Sequence, residues 1–167
     1  MKPDRILHPK LAEALATLGH TDIVLVTDAG FPIPANANRI DLGFWPGIID
    51  VREILRVLRT EVFFEDVRFA PEVRDCYPSL YQEIQRIWTG SGATFTAATH
   101  ETLCRDIAPM AKCVIRSGSF EPWANFALTA STDPFAWFTP ASGVAPLPAY
   151  LSRRENILAH RVPELMP

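Results

Sequence analysis

Ile23-Val24-Leu25-Val26-Thr27-Asp28-Ala29-Gly30 decides how the rest of the chain is read. A short apolar run that breaks off in Asp-Ala-Gly reads as a buried strand leaving a sheet through a turn. Upstream, Leu11, Leu15 and Leu18 recur at helical spacing, and Gly19 is a natural helix stop. Downstream, Phe31-Pro32-Ile33-Pro34 continues as a stiff extended loop. Each proline there fixes its own φ and disfavours helix in the residue before it.

The same alternation continues outward. Residues 39–44 predict a second strand with imperfect alternation, and residues 51–58 a helix with Ile54, Leu55 and Leu58 on one face. Residues 62–69 predict a strand, and Tyr77-Pro78-Ser79 opens a helix lined by Leu80, Ile84 and Ile87. Residues 93–98 return to strand character, and Thr99-His100-Glu101 marks a strand-to-helix junction with a short helix to about residue 111. Residues 113–116 predict a strand, Gly118 a turn, and residues 124–130 a last strand. Strands alternating with helices imply an α/β chain, a single layered domain over residues 1–130. A C-terminal extension follows over residues 131–167, punctuated by Pro134, Pro140, Pro146 and Pro148, with one more helix expected at 150–160. It is too apolar for a disordered linker, which predicts packing on its own domain or on a neighbouring subunit.

Composition narrows the function classes. The 167 residues suit one domain with a real core, and 48% hydrophobic with 21% charged residues is ordinary for a globular fold. A net charge of −3 gives no electrostatic reason to expect nucleic acid or an anionic membrane as partner. No apolar run is long enough to cross a bilayer. Met-Lys-Pro-Asp-Arg has no apolar segment behind it, which predicts no secretory signal and a cytoplasmic location by default. The three cysteines, Cys76, Cys104 and Cys113, are irregularly spaced and suggest neither a disulfide framework nor a metal pair. Cys113 reads as a small buried hydrophobe. Cys104 lies one helical turn after His100, so contact is permitted, but neither residue sits in a nucleophile motif.

Four histidines are present. His8 and His160 lie near the ends in polar surroundings and read as surface residues. His20 follows Leu18-Gly19, while His100 and Asp28 each stand where an apolar strand ends. Ligands of open α/β sheets bind beyond strand ends. Taken singly, each residue has a stronger structural reading: His20 caps its helix C-terminus, and Asp28 closes an Asx turn before Gly30. A metal site of His20, His100 and Asp28 lacks the local ligand spacing such sites show, so no metal is expected.

Four blocks taken together change that weighing. Leu18-Gly19-His20-Thr21-Asp22, Val26-Thr27-Asp28-Ala29-Gly30-Phe31-Pro32-Ile33-Pro34, Thr99-His100-Glu101, and Val114-Ile115-Arg116-Ser117-Gly118 with Trp123-Ala124-Asn125 resemble the D-ribose pyranase / L-fucose mutarotase family. Order and spacing fit from about Leu7 to Ala130, leaving the extension uncovered. The resemblance implies an enzyme that interconverts the cyclic forms of a free monosaccharide, without metal or other cofactor. It assigns the proton donor to His20 and sugar binding to Asp28, His100, Trp123, Ala124 and Asn125. It also implies ring-shaped homo-oligomers, typically decamers, with sites built across subunit contacts.

These residue types suit that chemistry. Opening a hemiacetal ring delivers a proton to the ring oxygen and removes one from the anomeric hydroxyl, and closure reverses both transfers. Imidazole serves in either direction near neutral pH. A carboxylate orients a sugar hydroxyl or accepts its proton, and an asparagine offers both donor and acceptor. Three departures stand out: Trp123 replaces the family tyrosine, Ser119 stands where a glutamate is frequent with Glu121 two residues on, and Cys104 takes the place of a lysine. The Asp28–Pro34 and Arg116–Gly118 blocks look more like the ribose branch, which favours a ribose-like sugar. Trp123 and the extension favour a rival reading, a sugar-binding or sensing protein that uses Asp28, His100 and Asn125 for affinity alone.

Overall fold

The structure is a computed structural model and describes residues 6–166. The run Ile23–Thr27 forms a strand, β1, buried from Val24 onward. Its neighbours are β5 (Cys113–Arg116), which runs parallel to it, and β6 (Phe126–Ala130), which runs antiparallel. Beyond β5 lies the short parallel strand β2 (Arg39–Asp41). On the other side, β6 pairs antiparallel with β3 (Phe64–Phe69), and β3 pairs parallel with β4 (Thr94–Ala97). A two-residue strand, β7 (Leu165–Met166), completes the seven-stranded order β2-β5-β1-β6-β3-β4-β7 among the described residues. The chain is thus an α/β protein built on one mixed sheet.

Successive strand residues point to opposite faces, and here both faces are covered, so the central strands are mostly apolar. On one face Val24, Val26, Phe69, Phe95 and Ile115 pack with residues of three helices. These are α1 (Pro9–Ala16), α2 (Val51–Glu61) and α4 (Pro78–Trp88). Leu55 and Leu58 of α2 and Leu80, Ile84 and Trp88 of α4 are wholly buried there. On the other face Leu25, Val114 and Ala127 pack under Phe31, Leu103, Ile107 and Ala108. No helix of the described residues is long and apolar enough to cross a membrane.

Three local details depart from the sequence reading. The strand expected over 39–44 stops at Asp41, because Leu42 and Gly43 both turn their N–H groups onto the Arg116 carbonyl. A side chain at Gly43 would meet the Ser117 carbonyl at 2.6 Å, so glycine permits two loops to touch there. Pro71–Cys76 forms an unforeseen short helix, α3, started by proline at its first position. After α5 (His100–Thr102) the backbone widens into a π-helical turn, Leu103–Ile107.

The extension folds back onto its own sheet. Its helix α6 (Pro148–Leu158) buries Arg153, and Phe95 N–H donates to Glu164 O at 3.0 Å beside β7. The β7 strand had no signal in the sequence, since two residues carry no period.

Candidate active site

At the C-terminal end of β1 the Asp28 backbone N–H donates to Asn125 Oδ1 at 3.0 Å, and Asn125 Nδ2 donates to Asp28 Oδ2 at 2.8 Å. The two contacts fix the Asn125 amide in one orientation, and Asn125 is fully buried. Gly30 N–H donates to Asp28 Oδ1 at 2.8 Å, closing the Asx turn. Each carboxylate oxygen accepts one bond from the protein and keeps a lone pair for a ligand.

His100 opens α5 beside this pair, its ring edge-on to Phe31 at 5.8 Å. Its Nε2 lies 3.4 Å from Cys104 Sγ, and its Nδ1 is buried without a protein partner. Burial, and secondly the charge of Asp28, push the Cys104 thiol upward. A thiol kept protonated is a poor nucleophile, so nothing at Cys104 supports an attacking role. Burial alone pushes the Cys113 thiol up to about 11, in keeping with its core position.

Trp123 sits in the loop that leads into β6, with a left-handed φ of 59° and a third of its surface exposed. A bulky residue in that region is strained, and such strain persists only where surroundings hold it. Two residues before Trp123, Glu121 belongs to a charged network that sequence reasoning missed. Arg52 donates to Glu121 through Nη1 at 2.6 Å and Nη2 at 2.9 Å, and it also pairs with Asp50 and Glu83. Tyr77 Oη donates to Glu121 Oε1 at 2.7 Å. Its one sequence signal is Glu121, two places after the usual glutamate. Ala124, fully buried, anchors the end of this loop.

The Arg52 guanidinium holds the Glu121 carboxyl below its ordinary value of 4.5. A depressed carboxyl contributes stability that is present above the ordinary value and is lost as pH falls through the folded one. Glu121→Gln should therefore cost about 1–3 kcal/mol at pH 7. That gap from wild type should narrow between about pH 5 and pH 3. Denaturant melts across this range test it; a gap independent of pH would contradict the network's role.

Asp28, Ala29, Gly30, Ser119, Phe120, Glu121 and Pro122 line a cleft of about 310 Å³, at the small end of the range for small-molecule sites. Around it Phe44, Trp45 and Phe120 are exposed, at 85%, 66% and 71%. Phe44, Trp45 and Phe120 also line an adjoining depression with Ala29, so the three rings form one exposed apolar patch.

His20 lies elsewhere. It precedes β1, whereas Asp28 follows it, and five residues of strand span about 17 Å. His20 does not cap α1; the Thr17 hydroxyl donates to the Ala14 carbonyl there instead, at 2.8 Å. The His20 ring is half-exposed, with Nε2 3.2 Å from Glu65 Oε2 and the Tyr150 ring 6.5 Å away. Thr21 beside it has φ of 71°, a second strained position. Within one chain the fold gathers Asp28, His100, Trp123, Ala124 and Asn125 at one end of the sheet and sets His20 at the other. Among the described residues no group of three or more His, Cys, Asp and Glu stands ready to hold a metal ion.

A sequence profile of the RbsD / FucU transport protein family matches residues 1–132. D-ribose pyranase 1 of Streptomyces griseus is 42% identical over 146 residues, 87% of this chain and 95% of that one. D-ribose pyranase 2 of Rubrobacter xylanophilus is 37% identical over 146 residues, covering 87% and 94%. The structure of Bacillus subtilis RbsD complexed with D-ribose superposes with a TM-score of 0.74 at 34% identity, covering 80% of this chain and 99% of that one. The matched profile spans every strand of the sheet except β7, and the chain belongs to the RbsD / FucU family.

Proposed function

We propose that this chain is a sugar mutarotase of the D-ribose pyranase kind, interconverting cyclic forms of a ribose-like free monosaccharide without a cofactor. The Asp28–Asn125 pair beside His100 carries the reading. It holds the Asp28 carboxylate, with a lone pair open on each oxygen, in the lining of a cleft, an acceptor group that suits the hydroxyls of a neutral polyol. The relatives named D-ribose pyranase, and the one bound to D-ribose, support the substrate class.

The proton donor in this reading is His20, and one chain places it too far from Asp28 to serve the same sugar. A second copy supplies it. The exposed Phe44, Trp45 and Phe120 surround the Asp28 cleft and give a second copy an apolar surface to cover. The half-exposed His20 of that copy then faces the cleft of the first, so the active form is a homo-oligomer. His20 protonates the ring oxygen as the carbon–oxygen bond opens, and Asp28 receives the anomeric proton. Closure onto the other face, or onto another hydroxyl, returns both protons.

Magnetisation-exchange NMR across free aldoses tests the reading. Faster exchange between ring forms of ribose is the expected result; binding without acceleration would establish a sugar-binding protein instead. Trp123 sets the preference at the cleft edge. An indole only donates, whereas the phenol of Trp123→Tyr both donates and accepts. The variant should raise the ribose to 2-deoxyribose rate ratio by about tenfold. An unchanged ratio would make Trp123 a packing residue.

A further inference from the structure

The extension reaches His20 through a line of hydrogen bonds with only one possible direction. Arg153 of α6 is buried, at 6% exposure, and donates through Nη1 to Ser131 Oγ at 2.5 Å and through Nη2 to the Phe64 carbonyl at 3.2 Å. Ser131 Oγ lies 2.8 Å from Glu65 Oε2, and the same oxygen lies 3.2 Å from His20 Nε2. A guanidinium has hydrogens to give and no lone pair to accept with, so the Ser131 hydroxyl accepts from Arg153 and gives its own hydrogen to Glu65. An ionised carboxylate only accepts, so His20 Nε2 must carry a hydrogen as well. Tyr150, also on α6, lies beside the imidazole, with ring centroids 6.5 Å apart and the planes tilted by 54°.

From this geometry we propose that Glu65 is the positioning residue for His20, and that the extension holds it in place through Arg153 and Ser131. Glu65 keeps the neutral imidazole in its Nε2–H form, which leaves Nδ1 as the nitrogen that carries and returns the proton. The Nδ1–H of the imidazolium passes to the sugar ring oxygen as the ring bond opens. The neutral Nε2–H imidazole that remains is already aligned to take a proton back on closure. The orientation of a histidine is set by the hydrogen bond at its other nitrogen, and partners of that kind affect activity by 10- to 100-fold. The inference deepens the proposed function, because it rests on His20 as the proton donor.

Long-range proton–nitrogen spectra of the ¹⁵N-labelled full chain, with the His20 signals assigned by their loss in His20→Gln, read the tautomer directly and without substrate. The Nε2–H pattern is expected in the wild type and a mixed or reversed pattern in Glu65→Gln, whose amide can donate to Nε2. Ribose ring exchange should fall about tenfold or more in kcat for Glu65→Gln, with little change in KM. Ser131→Ala cuts the link to Arg153 without touching either charge, and should lower kcat about threefold or more while shifting the tautomer in the same direction. It serves also should Glu65→Gln fail to fold. A wild-type His20 with its hydrogen on Nδ1, or folded variants with unchanged tautomer and rate, would overturn the inference. An active His20→Gln would instead overturn the proposed function beneath it.

Discussion

His20→Gln is expected to leave a folded protein whose ring-exchange rate is at least about a hundredfold below wild type. The side chain is half-exposed and, among the described residues, its polar partner is Glu65, so its removal costs little stability. Glutamine preserves much of the shape and can still hydrogen-bond Glu65, but it cannot carry a proton to a ring oxygen at neutral pH. Exchange spectroscopy with ribose, alongside a thermal melt, separates the two effects. Activity within a few-fold of wild type in a folded variant would remove His20 from the chemistry.

Asp28→Asn should be nearly as damaging for a different reason. The carboxylate accepts from Gly30 N–H on one oxygen and from Asn125 Nδ2 on the other. An asparagine has a single oxygen, so it must turn its amide hydrogens against one of those donors. Either the Asx turn or the pairing with buried Asn125 is lost, at about 1–3 kcal/mol of stability. The charge that receives the anomeric proton disappears as well. A fall in kcat/KM of about 100-fold or more is expected, with KM for ribose raised. A variant that keeps both wild-type constants would reduce Asp28 to a turn residue.

Much of this arrangement was legible in the sequence because it depends on local pattern. The apolar run 23–27, cut off by Asp28 and Gly30, gave both the central strand and the strand-end carboxylate. The spacing of Ile54, Leu55 and Leu58 gave α2, whose buried side matches those residues. Long-range pairing was not legible. Nothing in the order of residues says that β6 enters between β1 and β3 in the opposite direction, since strand neighbours are chosen in space. The Arg52–Glu121–Tyr77 network joins residues far apart in the chain, of which Glu121 alone carried a signal. His20 shows the same limit most sharply. Its block and that of Asp28 are adjacent in sequence and read as one site, yet a strand between them drives the two side chains to opposite ends of the sheet. The extension carried enough apolar residues to predict packing, but its buried Arg153 and the link to Glu65 depend on a fold-back the sequence does not announce.

A site shared between copies has a direct test, the mixing of two inactive variants. His20→Gln and Asp28→Asn chains, separately tagged and co-expressed, are purified as hybrids by both tags in turn. Ring exchange of ribose is then compared with that of each parent. In a random hybrid about a quarter of the sites pair an intact Asp28 from one copy with an intact His20 from another, so activity near that fraction of wild type should return. Hybrids no more active than the sum of their parents would contradict a site completed across the subunit boundary.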